Sequence, residues 1–179
     1  MRTFLPLAAC AVLLSGCEQP ASGVSAATRE AELTIRSLMA GWESADIDLI
    51  EDLFLPQATY DDFPNQITYQ GLEEIVQYIV AVHDWGDDVY MSVGRVHASE
   101  SGAIAEWVFS AIQNRPMGEQ ISVATGREVV LNGVTIIEMQ DGRILRAADY
   151  TDTAPMMLQL GGRIELPGGT VLEQVDGGN

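Results

Sequence analysis

The sequence predicts an α+β fold, with helices covering one face of a curved antiparallel sheet. Three observations carry this. Apolar residues recur at helical spacing from about Thr28 to Val80, whereas from Val89 onward β-branched and alternating runs dominate. Gly-containing breaks separate most of those runs, and Gln140-Asp141-Gly142-Arg143 between the last two is a strong hairpin-turn signal. Helices first and antiparallel strands afterwards form an α+β plan rather than an alternating α/β one.

Thr28 is placed to cap the first helix. Glu30 and Glu32 in its first turn complement the helix dipole, and Leu33, Leu38, Met39 and Trp42 fall on one broad face that ends near Ala45. Asp46 or Asp48 starts a short second helix with Ile47, Ile50, Leu53 and Phe54 turned inward, and Pro56 stops it. Ala58 to Asp62 reads as a short strand and Phe63 to Gln66 as a turn. Gly71 then leads into a third helix on the stripe Leu72, Ile75, Val76, Ile79 and Val80, which His83 extends. Strands follow over Val89 to His97, Ala103 to Gln113, Ile121 or Arg127 to Met139, and Arg143 to Tyr150.

The flanks read differently from this central part. Arg2, the apolar run from Phe4 to Leu14 and the tetrad Leu14-Ser15-Gly16-Cys17 resemble a bacterial lipoprotein signal. That run is shorter than the roughly 20 residues a membrane-spanning helix needs. The resemblance implies that residues 1–16 are a signal peptide removed before Cys17, and that lipid on Cys17 tethers the chain to the bacterial cell envelope. Glu18 in place of Asp after the cysteine favours the periplasmic face of the outer membrane. Residues 17–27 are small and polar, as suits a linker. The domain then occupies 28–155, and the Gly- and Pro-rich tail 156–179 caps it or makes a dimer contact.

Composition excludes several functions. The chain of 179 residues carries 26 acids against nine arginines and no lysine, a net charge of −17, so its surface repels phosphate backbones and nucleic acid is no partner. With Cys10 in the signal and Cys17 taken by lipid, neither a disulfide nor a thiolate zinc site remains. No Gly-rich phosphate loop, HExxH or serine elbow is present, and the two histidines lie apart, so neither metal nor cofactor is expected.

The candidate site comes from strand period. In the last strand Leu145, Ala147, Asp149 and Thr151 share one face, and Ile144, Arg146, Ala148, Tyr150 and Asp152 share the other. Asp149 thus falls on an apolar face, where burial would raise its carboxyl above the reference of about 3.9 towards proton transfer near neutrality. The structural alternative is a carboxylate bonded to backbone or to Arg127. Tyr60 and Asp62 share a face of the short strand, opposite Asp61. Trp107 and Phe109, aligned with Ala103, Ala105 and Ala111, either clasp a flat hydrophobic ligand or pack the core. His83 either supplies a neutral base or a hydrogen bond to the ligand, or is a core or rim residue.

Together the stretches WESADIDLIEDLFLPQATYDDFPNQITYQGLEEIVQYI, AEWVF and TGREVVLNGVTIIEMQDGRILRAADYTD resemble the SnoaL-like group of the nuclear transport factor two-like superfamily, over roughly Thr28 to Asp152. The resemblance implies a cone of curved sheet and about three helices around an apolar pocket. Asp149 matches the general-acid aspartate of limonene-epoxide hydrolases and Tyr60 their water-binding tyrosine. Their central Arg-x-Asp, however, reads Trp107-Val108-Phe109 here, so two members of that triad are absent. Asp62 matches the proton-shuttling aspartate of ketosteroid isomerases, whose helix-one tyrosine and later strand acid fall on Leu38 and Val134.

What the resemblance implies is a cofactor-independent acid/base enzyme acting on a small hydrophobic oxygenated substrate: a cyclase or isomerase, or else an epoxide hydrolase. Asp62 would accept the proton and Asp149 would act as acid or orienting group. The alternative is a noncatalytic, lipid-anchored binding protein for a hydrophobic small molecule. A homodimer through the sheet is the pairing many family members use.

Overall fold

The computed structural model describes residues 23–119 and 121–174; the signal-peptide reading and Cys17 lie outside them. Helix α1 spans Ala26–Ser44 and is capped by Ser25, whose Oγ accepts from the Thr28 backbone N–H at 3.1 Å. Ser25 and Thr28 are both good capping residues, and the earlier one takes the role, which lengthens the helix at its start. Its buried stripe runs through Ala31, Ile35, Leu38, Met39 and Trp42, a spacing that leaves Leu33 66% exposed, contrary to the expected face.

Helix α2, Ile47–Leu53, is capped by Asp46 and buries Ile50, with Ile47 exposed. It ends before Pro56: the chain is already extended at Phe54, where β1 (Phe54–Asp62) begins. Pro56 is tolerated inside that strand because the pairing is irregular between Phe54 and Thr59, where the missing N–H breaks no regular ladder. After the turn at 63–66 comes β2, Ile67–Gln70, a four-residue, mostly exposed strand with too little periodicity for the sequence to announce.

Helix α3, Gly71–Val80, buries Ile75 and Ile79. The chain breaks at Ala81, and a separate short helix α4, Val82–Trp85, carries His83, which therefore does not continue the α3 stripe. Strands β3 (Gly86–Ser99), β4 (Gly102–Gln113), β5 (Glu128–Gln140) and β6 (Arg143–Thr151) follow. Helix α5 (Thr153–Gln159) and the small hairpin of β7 (Arg163–Glu165) and β8 (Val171–Glu173) end the described chain.

The main sheet runs β2-β1-β6-β5-β4-β3, curved and unclosed, with α1 packed on β3 and β4 and α3 on β1. Every neighbouring pair is antiparallel except β1 and β6, which run parallel. The inner face of β4 is Ala103, Ala105, Trp107, Phe109 and Ala111, all buried, as the alternation predicts.

In β6 the alternation is broken. Met139 pairs with Ile144 and Glu138 with Arg146, so Leu145 bulges out of register. The inner face passes from Ile144 to Ala147 and Asp149, and Leu145 is only half-buried. In α5 the Gln159 side chain bonds both the N–H and the carbonyl of Val130, where β5 extends beyond the end of β6. Among the described residues no helix is long and apolar enough to cross a membrane.

Candidate active site

A cavity of about 720 Å³ opens between α1, the α3–α4 segment and the inner face of the sheet. That size suits a drug-sized ligand. Asp149 and Asp62 both line it, and both are nearly inaccessible, at 6% and 2% exposure. The parallel pairing brings them together. β1 and β6 align Tyr60 with Ala147 and Asp62 with Asp149, and residues paired in a parallel ladder project to the same face. The outer register is filled by an ion pair of Asp61 with Arg146, at 2.6 Å.

Two hydrogen-bonded relays converge on Asp149. On one side Trp107 Nε1–H donates to Thr135 Oγ1 at 2.8 Å, and the Thr135 hydroxyl donates to Asp149 Oδ1. On the other, Trp42 Nε1–H donates to the Tyr60 hydroxyl at 3.2 Å, which donates to Asp149 Oδ2 at 2.9 Å. The Tyr78 hydroxyl also reaches Oδ2, at 3.5 Å. Backbone register sets up the first relay, since Thr135 on β5 lies opposite Asp149 and Trp107 on β4 lies opposite Gly133. The Trp107 ring crosses the backbone at Gly133 so closely that a Cβ there would meet the indole at 2.2 Å. Glycine is what lets the indole lie flat and reach Thr135.

Burial raises the Asp149 carboxyl from 3.8 to about 6; donation by Thr135 and Tyr60 works against burial, and repulsion from Asp62 adds to it. Desolvation is therefore the dominant cause, because three neutral hydroxyls stabilise the anion without replacing water entirely. Burial, reinforced by the Asp149 charge, pushes the Tyr60 and Tyr78 hydroxyls well up, so both stay protonated donors. Asp62 is held differently. Its Oδ1 accepts from the Asn65 backbone N–H at 3.2 Å and its Oδ2 from the Asn65 side-chain amide at 2.7 Å, a turn-closing arrangement.

A carboxyl that titrates at about 6 is about nine-tenths ionised at pH 7, yet close enough to neutrality to give its proton back. It can take a proton from a substrate carbon or water and return it as an acid.

The expected site residues fall into three groups. Asp149, Asp62, Trp107 and Phe109 line the cavity. Tyr60 is fully buried behind Asp149, where its hydroxyl is engaged by Trp42 and Asp149, so it supports the carboxylate instead of facing a ligand. His83 lies outside the lining, although its α4 neighbours Val82, Asp84 and Trp85 belong to it; its Nε2 is turned to the Trp42 carbonyl at 3.1 Å. Thr135, Tyr78, Trp42, Asn65 and Gly133 were not foreseen as site residues. The position matched to the isomerase strand acid is Val134, but Thr135 is the one that faces inward. Alternation along β5, counted from the buried Ile137, points to Thr135.

Among the described residues no group of three or more His, Cys, Asp or Glu could hold a metal ion. Residues 35–147 match the family model described as a SnoaL-like domain. No curated protein matches the chain. Among solved structures, a candidate SnoaL-like polyketide cyclase from Jannaschia sp. CCS1 is similar with a TM-score of 0.69 at 17% identity, over 77% of this chain and 96% of that one. AclR, a candidate hydroxylase from Streptomyces galilaeus, gives 0.67 at 16% identity, over 79% and 91%. An LEH-like epoxide hydrolase from M. tuberculosis gives 0.60 at 16% identity, over 74% and 90%. Three reactions on one architecture mean that the likeness extends to the fold and leaves the chemistry to the site.

Proposed function

This chain belongs to the SnoaL-like domain family, and from that premise we propose that it is a cofactor-independent acid/base enzyme for a small hydrophobic oxygenated substrate. One observation carries the reading: a buried carboxylate, Asp149, held by three hydroxyls at the base of an apolar cavity and titrating at about 6. Such a group suits removal of a proton from a carbon beside a carbonyl and its return elsewhere, which is cyclase or isomerase chemistry. Asp149 takes the proton, which exchanges the roles expected from sequence. Asp62, tied down by Asn65, orients the polar end of the substrate and through its charge favours protonation of Asp149.

The neutral Tyr78 hydroxyl stands at the cavity wall with a long, 3.5 Å contact to Asp149 Oδ2, from which its single proton can turn to a substrate oxygen. Trp107 and Phe109 hold the hydrophobic body. In this proposal lipid on Cys17 tethers the chain to the bacterial cell envelope. Epoxide opening is the second reaction the site allows: a protonated Asp149 delivers its proton to the epoxide oxygen as the C–O bond breaks, and a water forms the new bond at that carbon and releases a proton to solvent.

The test is turnover of a panel of enones, β-dicarbonyl compounds and epoxides by the native chain, Asp149→Asn and Asp62→Asn. The expected loss for Asp149→Asn is about a hundredfold or more in kcat, the usual scale for a general base. Unchanged turnover in that variant rejects Asp149 as the proton-transfer group. Tight ligand binding with no turnover of any compound favours the noncatalytic carrier.

A further inference from the structure

The charge of the cavity is one-sided. Among its described lining residues are four carboxylates, Asp62, Asp84, Glu119 and Asp149, and no arginine or histidine. Asp84 and Glu119 are exposed at the rim, whereas Asp62 and Asp149 are buried at depth. The deep pair is bonded by neutral donors: the backbone and amide N–H groups of Asn65 on Asp62, and the hydroxyls of Thr135, Tyr60 and Tyr78 on Asp149. Such donors satisfy lone pairs without cancelling charge. Arg115, in the segment after β4 that contributes Pro116 to Glu119 to the rim, is engaged elsewhere. Its guanidinium pairs with Asp87 and donates to the carbonyls of His83, Asp84 and Gly86.

The walls add a second and independent signal. Six aromatic rings line the same cavity: Trp42, Tyr69, Tyr78, Trp85, Trp107 and Phe109. Trp42 is carried by α1, Tyr78 by α3, Trp85 by α4, and Trp107 and Phe109 by β4, so the rings stand on more than one side. Ring faces carry negative potential and attract ammonium groups, most strongly where water is excluded. An apolar cavity with acids at its base, aromatic rings around it and no arginine or histidine among its described lining residues repels an anion and attracts a positive charge.

We propose that the ligand of this cavity is a hydrophobic cation, a tertiary or quaternary amine whose ammonium lies toward Asp62 and Asp149 and whose body packs on Trp85, Trp107 and Phe109. The inference rests on the reading of this cavity as the substrate site and narrows the substrate class to molecules that bear a positive charge. It excludes carboxylates, phosphates and other anionic carriers as the recognised group.

The full-length chain is titrated, above the Asp149 transition at about 6, with three probes followed by tryptophan fluorescence. These are phenyltrimethylammonium, its uncharged isostere tert-butylbenzene, and benzoate. The expected result is that the cation binds at least about tenfold more tightly than the isostere, with benzoate weakest. Asp62→Asn and Asp149→Asn should each narrow that preference, and the comparison of probes on the native chain decides the matter if either variant fails to fold. Equal or tighter binding of tert-butylbenzene, or a preference for benzoate, overturns the inference. Asp149-dependent turnover of neutral substrates with no preference for the cation overturns this inference and leaves the proposed function standing. Preference for the cation without any turnover supports the inference and removes the enzymatic reading.

Discussion

Replacing Asp149 by asparagine separates the charge of the site from its shape. In the native chain the carboxyl is 6% exposed and titrates at about 6 instead of 3.8. An acid raised in the folded state binds its proton more tightly there than in the unfolded chain. Between the two values the native state therefore holds more protons, and stability falls as pH rises. At 1.36 kcal/mol per pH unit, the interval from 3.8 to about 6 corresponds to roughly 3 kcal/mol. That contribution is fully present below the lower value and is lost as pH passes through the upper one.

Asparagine carries no such proton. Carboxylates that do not act on Asp149 are common to both proteins, so their effects cancel in the difference between them, and the repulsion from Asp62 is part of what the difference reads. Urea unfolding of the native chain and Asp149→Asn across the range from about pH 4 to 8 should show the native-minus-variant stability falling by roughly 2 to 3 kcal/mol and levelling off above about pH 7. A difference that stays flat would mean that the hydroxyls of Thr135, Tyr60 and Tyr78 balance desolvation, and one that grows with pH that they outweigh it; in either case the argument for a near-neutral proton-transfer group would fail. Any constant offset from repacking the amide does not affect this test, because it is the slope that reports the proton.

Other expectations follow from the same contacts. Gly133→Ala drives a Cβ to 2.2, 2.3 and 2.7 Å from three Trp107 ring atoms, so the indole must leave Thr135. Thermal unfolding should report a loss of about 1–3 kcal/mol, and an unchanged Tm would contradict the close approach. Tyr78→Phe removes a donor from Asp149 Oδ2, so the Asp149 transition should move further up from about 6, as followed by the carboxyl carbon resonance; a downward move would contradict the assignment. Asp46→Ala removes the α2 cap and should cost about 1 kcal/mol in urea unfolding while leaving the Asp149 transition in place.

Much of the architecture was legible because its signals are local. The stripes Leu38-Met39-Trp42 and Ile75-Ile79, and the alternation from Ala103 to Ala111, each report burial within a few residues of chain, and all are buried on the expected side. The misreadings have local causes as well. Ser25 and Thr28 compete for one cap, the irregular ladder around Pro56 lets it sit inside a strand, and four exposed residues of β2 offer no period to read. The bulge at Leu145 left the orientation of Asp149 untouched, because the alternation from Ala147 onward lies on its far side.

Sequence alone therefore specified the α+β order of elements, the inward orientation of Asp62 and Asp149, and an acidic chain without lysine. It could not specify that β1 and β6 pair in parallel and bring those two acids into one register, since the strands are joined only through α3, α4 and four intervening strands. Nor could it assemble the donors on Asp149, which come from β5, β1 and α3 and are backed by indoles on β4 and α1. Periodicity decides which way a side chain points, because that depends on adjacent backbone geometry. The protonation behaviour of Asp149 depends on which groups replace its water, and only the folded chain brings those groups within hydrogen-bonding distance.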